Sequence, residues 1–158
     1  MEKQLKPWII GLFVISIFCL TGCDDDDDAP PSQNKEKSFT LAPLSSSGVS
    51  GTVNFEKQNG TTTIVTIQLS GTTAGNSHPA HIHANSATVG GPIVLDFSPV
   101  DGATGRSVTT VTKLNDGTAV TYEELIAFDG HVNVHLSVTE LQTMIAQGNI
   151  GVNATGTN

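Results

Sequence analysis

The segment His131-Val132-Asn133-Val134-His135-Leu136 alternates polar and apolar residues without a break. Successive side chains of an extended chain point to opposite sides, so Val132, Val134 and Leu136 share one face and His131, Asn133 and His135 the other. An amphipathic helix would repeat near 3.6 residues; a period of two predicts a core strand with one buried face. Working outward, Ala80, Ile82 and Ala84 alternate with His81 and His83, and Ile93-Val94-Leu95-Asp96-Phe97 puts three apolar residues on one face. Phe39 and Leu41 flank Thr40, and Val49, Gly51, Val53 and Phe55 alternate with polar partners. Asn59-Gly60 then marks a tight turn into a return strand over residues 61–69, with Val65, Ile67 and Leu69 together. Residues 71–77 read as loop, and residues 108–114 as another strand ending at Asn115-Asp116-Gly117.

Two segments carry helix-start signals. Thr121-Tyr122-Glu123-Glu124 fits a capping box opening a helix through Phe128, stopped by Asp129-Gly130. Ser137-Val138-Thr139-Glu140 fits a second, with Leu141, Met144 and Ile145 as a one-sided stripe before Gln147-Gly148. Asn149 to Val152 reads as a closing strand. About seven or eight strands are thus expected over residues 38–158. The expected fold is all-β: a Greek-key-like β-sandwich or partly closed barrel with two short connecting helices.

Composition agrees and excludes some classes of partner. Of 158 residues only 14% are charged, and 15 Asp and Glu outweigh 7 Lys and Arg, for a net charge of -8. Such a surface lacks the basic patch that supplies most affinity for nucleic acid, so neither DNA nor RNA is an expected partner. Lys3 and Lys6 precede an uncharged run from Trp8 to Leu20, which is too short to span a bilayer of ~30 Å at 1.5 Å per residue but has the length of a signal-peptide core. The run ends in Leu20-Thr21-Gly22-Cys23, which resembles the lipobox of bacterial lipoproteins. The resemblance implies a signal peptide over residues 1–22 and acylation of Cys23 as the new N-terminus. Removing residues 1–22 with Glu2, Lys3 and Lys6 would leave 136 residues at a net charge of -9. It would also remove Cys19, so the folded part would hold no disulfide and no thiolate ligand. Residues 23–37, with the run Asp24 to Asp28, read as an extended acidic tether. An acidic stretch after the lipidated cysteine also resembles the surface-export signal of some outer-membrane lipoproteins; charge patterning alone fits a plain solvated spacer equally well.

His78-Pro79-Ala80-His81-Ile82-His83, Gly90-Gly91-Pro92-Ile93-Val94 and Val132-Asn133-Val134-His135 together resemble the CHRD domain, a family named from the extracellular protein chordin and frequent in bacterial secreted proteins. The likeness runs from about Phe39 to Ala154 and implies an extracellular β domain, without implying growth-factor binding. The family's Pro-Gly-Gly-Glu-Ile-Arg-Gly-like strand is matched here only by Asn149-Ile150-Gly151. A weaker likeness is to Cu/Zn superoxide dismutase, in which a His-x-His strand supplies copper ligands; this chain lacks its disulfide cysteines and its bridging-histidine and zinc-aspartate pattern.

The histidines are the chemistry-bearing residues. His81 and His83 lie on one strand face, ~6.6 Å apart at the backbone. His131 and His135 share a face too, but at ~13 Å along the strand only one is expected to join them, and His135 is the choice. His81, His83 and His135 are therefore the candidate ligands for Zn or Cu, with a coordination position left open. The same rings could instead hydrogen-bond to one another, to Asn133 or to carbonyls and pin two strands together. His78, before Pro79, is read as shaping a loop, and Asp96 as either an exposed strand charge or an acceptor behind the histidines. No Gly-x-Ser-x-Gly elbow, P-loop or dinucleotide fingerprint is present, and Glu123 and Glu124 splay apart on one helix, so no hydrolase machinery is visible.

The expectation is a lipid-anchored cell-envelope protein, in the outer membrane and facing outward, that displays a non-enzymatic binding domain. Its partners would be the membrane, through the lipid, and an extracellular protein or a metal ion; the alternative is a Cu- or Zn-binding or dismutase-like redox protein. The anchor has a direct test in detergent phase separation, because several acyl chains hold a protein stably where one does not. Wild-type protein should enter the detergent phase and Cys23→Ser the aqueous phase; unmodified, soluble wild type from cells would contradict the assignment.

Overall fold

Most apolar residues of the alternating segments are buried, and they converge on one core that includes Leu41, Val53, Phe55, Val65, Ile67, Ile82, Val132 and Val134. The arrangement comes from a computed structural model that describes residues 35–154. The expected signal peptide, the expected lipidation site Cys23 and nearly all of the expected tether lie outside the described residues. The strands are β1 (Glu36–Pro43), β2 (Ser50–Lys57), β3 (Thr63–Ser70), β4 (Ser77–His78), β5 (Ala80–Ala84), β6 (Ile93–Asp96), β7 (Val100–Asp101), β8 (Arg106–Val111), β9 (Asp129–His135) and β10 (Met144–Gly151). Among the described residues one helix, α1 (Tyr122–Ile126), precedes β9.

All pairings are antiparallel, in the order β4-β7-β8-β3-β2-β1-β10-β9-β5-β6. The all-β expectation takes the form of a single sheet curled into a half-barrel. β1 makes the corner: residues 36–41 pair with β2, while Ala42 and Pro43 pair with β10. A strand that changes partners along its length lets two sheet halves face each other across one core. After β6 the chain crosses directly toward the far side, where the Ser98 amide donates to Thr109 Oγ1 on β8 at 2.9 Å. β1 begins at Glu36, two residues before the expected domain start.

The capping box at Thr121 forms as expected. Glu124 N donates to Thr121 Oγ1 (3.3 Å), and Glu124 Oε2 accepts from Thr121 N (2.8 Å). Tyr122 and Leu125 point from the helix into the core.

The second expected helix is absent. Residues 137–143 are turns, and Met144, Ile145 and Gln147 belong to β10. Ser137 Oγ contacts Thr139 Oγ1 at 3.0 Å, and the amides of Glu140 and Thr143 close single turns on Ser137 O and Glu140 O. Pairing with β9 on one side and β1 on the other satisfies this backbone in extended form, and such tertiary pairing overrides a short helical signal. Leu136, expected on the apolar face, is exposed where the chain leaves the sheet.

Bulges re-aim two further side chains. Between β5 and β6, Ile82 pairs with Leu95 but His83 with Ile93, so one extra residue sits on β6. Ile93 thereby leaves the core and is 45% exposed. Between β9 and β10, His135 pairs with Met144 and Val134 with Ala146, with Ile145 as the extra residue. A bulge changes which face the following side chains occupy.

Removing packed volume should cost more than removing a cap. Leu125→Ala should lower unfolding free energy by about 2–5 kcal/mol through the cavity it leaves, and Thr121→Ala by about 1 kcal/mol. Urea denaturation checks both, and equal losses would show that α1 does not seal the core.

Candidate metal centre

The β5–β9 register sets the site: Ala80 faces Val134, His81 faces Asn133, Ile82 faces Val132, and His83 faces His131. The apolar members of these pairs are buried in the core, so the polar members all stand on the opposite face. His135 lies beyond Asn133 on that face, opposite Pro79, and its amide donates to the Pro79 carbonyl at 2.8 Å. His81 and His135 are thus diagonal neighbours, close enough for two imidazoles to meet.

They do meet. His81 Nδ1 and His135 Nε2 are 3.1 Å apart. One ring nitrogen from each of His81, His83 and His135 lies within 4.8 Å of the others. Two nitrogens bound to one tetrahedral Zn at 2.0–2.1 Å would be ~3.3 Å apart, so modest ring rotations would converge all three.

Neighbouring groups orient the free lone pairs. His83 Nδ1 lies 2.9 Å from the Gly91 carbonyl oxygen. A carbonyl only accepts, so Nδ1 carries the proton and Nε2 of the neutral ring is bare. That Nε2 is buried and has no hydrogen-bond partner. Gly91 is needed for the approach, because a Cβ there would lie 2.3 Å from the Ala84 carbonyl oxygen. His81 turns its Nε2 toward Asp96 Oδ1 at 3.7 Å, an exposed carboxylate standing behind the ring. His135 Nδ1 is buried with no partner within hydrogen-bond geometry, although the Leu141 backbone favours its protonated form. Imidazoles whose outer nitrogens face oxygen atoms while their inner nitrogens converge form the arrangement that fixes metal-binding tautomers.

The other two histidines are bonded elsewhere through Nδ1, although the buried Nε2 of His78 is without a partner. His131 Nδ1 donates to the Asn85 carbonyl at 2.7 Å, and its ring stacks on His83 at 5.2 Å and 20°. It holds His83 in place from the opposing strand. His78 Nδ1 donates to the Leu136 carbonyl at 2.9 Å, and His78 lies buried in the short strand β4 rather than in the loop it was expected to shape. His135, and not His131, is the ring grouped with His81 and His83 within 4.8 Å.

Asn133, Ile93, Leu141, Gln142 and Met144 join the three histidines around a cleft of about 290 Å³. Asn133 was within reach of sequence reasoning, since it alternates with His131 and His135. Gln147, which donates to Asn133 Oδ1 at 2.7 Å, was hidden inside the segment expected to be helical.

Burial lowers the pKa of His81, His131 and His135 below the ordinary histidine value. Repulsion adds to it, from His83 at all three and from His81 at His135. Asp96 opposes the shift at His81, and the Asn85 carbonyl opposes it at His131. Histidines with depressed folded-state pKa values bind protons more readily in the unfolded chain. Metal-free protein should therefore hold full stability above pH ~6.5 and lose it as pH falls toward the folded-state values. Melting temperatures of chelator-treated protein from pH 7.5 to 5 should fall, and less steeply in His135→Gln; a flat profile would contradict the burial of neutral rings. Scans against protein-family models and against curated proteins find no match for this chain, which leaves side-chain geometry as the basis for its function.

Proposed function

We propose that this chain is a lipid-tethered cell-envelope protein whose CHRD-like β domain binds one transition-metal ion, Cu or Zn, through His81, His83 and His135. The observation that carries the reading is the convergence of three ring nitrogens within 4.8 Å. The buried, unpartnered Nε2 of His83 supports it, because a buried polar atom left unpaired costs free energy that coordination would return. Hydrogen bonding within the cluster leaves that atom unsatisfied, so strand pinning alone accounts for the geometry less well. Three protein ligands leave a position open, and the cleft gives a water or small ligand access to it.

A second reading, display of a protein-interaction surface, is favoured by the exposed apolar side chains around residues 136–141. Val138 is 69% and Leu141 44% exposed, and Leu141 also lines the cleft. The two readings differ in their response to chelation. At a hundred times its dissociation constant, an ion bound only by the folded state adds ~2.7 kcal/mol, or roughly 10 °C in melting temperature for a domain of this size. Zn or Cu should raise the melting temperature of wild type by that order, a chelator should reverse it, and His83→Ala should abolish the response. Indifference of wild type to both ions, with no metal in protein isolated without a histidine tag, would overturn the metal reading and leave the interaction surface.

A further inference from the structure

Met144 stands beside the three histidines because of the bulge in β10. With regular pairing through Gln147 opposite Asn133, the residue opposite His135 would be Ile145. The extra residue moves Ile145 into the core beside Ala146 and sets Met144 opposite His135. Met144 lines the cleft that contains His81, His83 and His135. Its Sδ makes a weak contact with Gln147 Nε2 at 3.8 Å, and Gln147 is fastened to Asn133. The bulge thus brings a thioether, in place of an isoleucine side chain, to the mouth of a three-imidazole cluster.

We propose that the ion is copper, held as Cu(I), with Met144 Sδ as its fourth donor; this rests on the three-histidine reading. The donor set carries the choice. Thioether sulfur is soft and selects Cu(I), whereas Zn in closed sites takes imidazole, thiolate or carboxylate. The donors facing the cleft are neutral: three imidazoles, a thioether, and the amides of Asn133 and Gln142. The nearest carboxylate to a ligand ring, Asp96, approaches His81 Nε2, behind the ring, and is 62% exposed. An all-neutral set in a half-buried site pays less desolvation for a monocation than for a dication. Ile93 and Leu141 add apolar walls that disfavour the higher charge further.

The test uses metal-free protein, wild type and Met144→Leu, a swap that conserves volume. Anaerobic Cu(I) affinity is read by competition with a chromogenic Cu(I) chelator, Zn(II) affinity with a zinc indicator, and the coordination shell by X-ray absorption of the Cu(I)-loaded protein. Wild type should bind Cu(I) more tightly than Zn(II) and show a sulfur neighbour. Met144→Leu should lose that neighbour and weaken Cu(I) by about tenfold or more, with Zn(II) affinity unchanged. Melting of the metal-free variant checks that its fold is intact. Equal Cu(I) affinity in both proteins, or a nitrogen-only shell in wild type, would overturn the role of Met144 while leaving the three-histidine site standing, provided His83→Ala still abolishes binding. Failure of wild type to bind either ion would remove both.

Discussion

The antiparallel register between β5 and β9 is the constraint on which the rest depends. It is held by burial of Ala80 and Ile82 beside Val134 and Val132, in the core cluster that also contains Ile150 and Phe55. Side chains alternate strictly, so a slip of one residue would drive two histidines into the core and expose the valines. The hydrophobic effect that closes the half-barrel thus also aligns His81 and His83 with His135, and the polar face follows without a separate design.

What turns a polar face into a site is the pair of connections that cover it. The loop between β5 and β6 supplies the Asn85 and Gly91 carbonyls, which fix the tautomers of His131 and His83. Asn85 itself has φ 64°, and its side chain holds the loop by donating to the Gly90 carbonyl. On the other side, residues 136–143 bring Leu141 and Gln142 to the cleft that His135 also lines. Bulges in β6 and β10 place Ile93 and Met144 at the rim. Each device costs a regular hydrogen bond or a relaxed backbone, and each acts on the same few ångströms of surface.

Much of this was legible in the chain. Period two around His81-Ile82-His83 and Val132-Asn133-Val134 disclosed both the strands and the face that each histidine takes, and spacing along the strand limited the cluster to one of His131 and His135. The strand that carries Met144 and Gln147 was not legible, because Leu141, Met144 and Ile145 mimic a helical stripe after an apparent capping box, and only pairing with two neighbours resolves the conflict. Nor were the bulges, which arise from the fit between strands, or β4 and β7, at two residues each too short to show a period. Carbonyl partners such as Gly91 O leave no trace in residue identity beyond the glycine that permits the approach.

The central claim is that one ion sits among three imidazoles gathered by that register. Its most direct measurement is an anomalous difference map from crystals grown with copper or zinc, recorded on both sides of the metal's absorption edge. A single peak should lie about 2.0–2.1 Å from one ring nitrogen each of His81, His83 and His135, with the Gly91 carbonyl still bonded to His83 Nδ1. A peak at another site, or intact His81–His135 hydrogen bonding with no peak in the cleft at saturating metal, would contradict it.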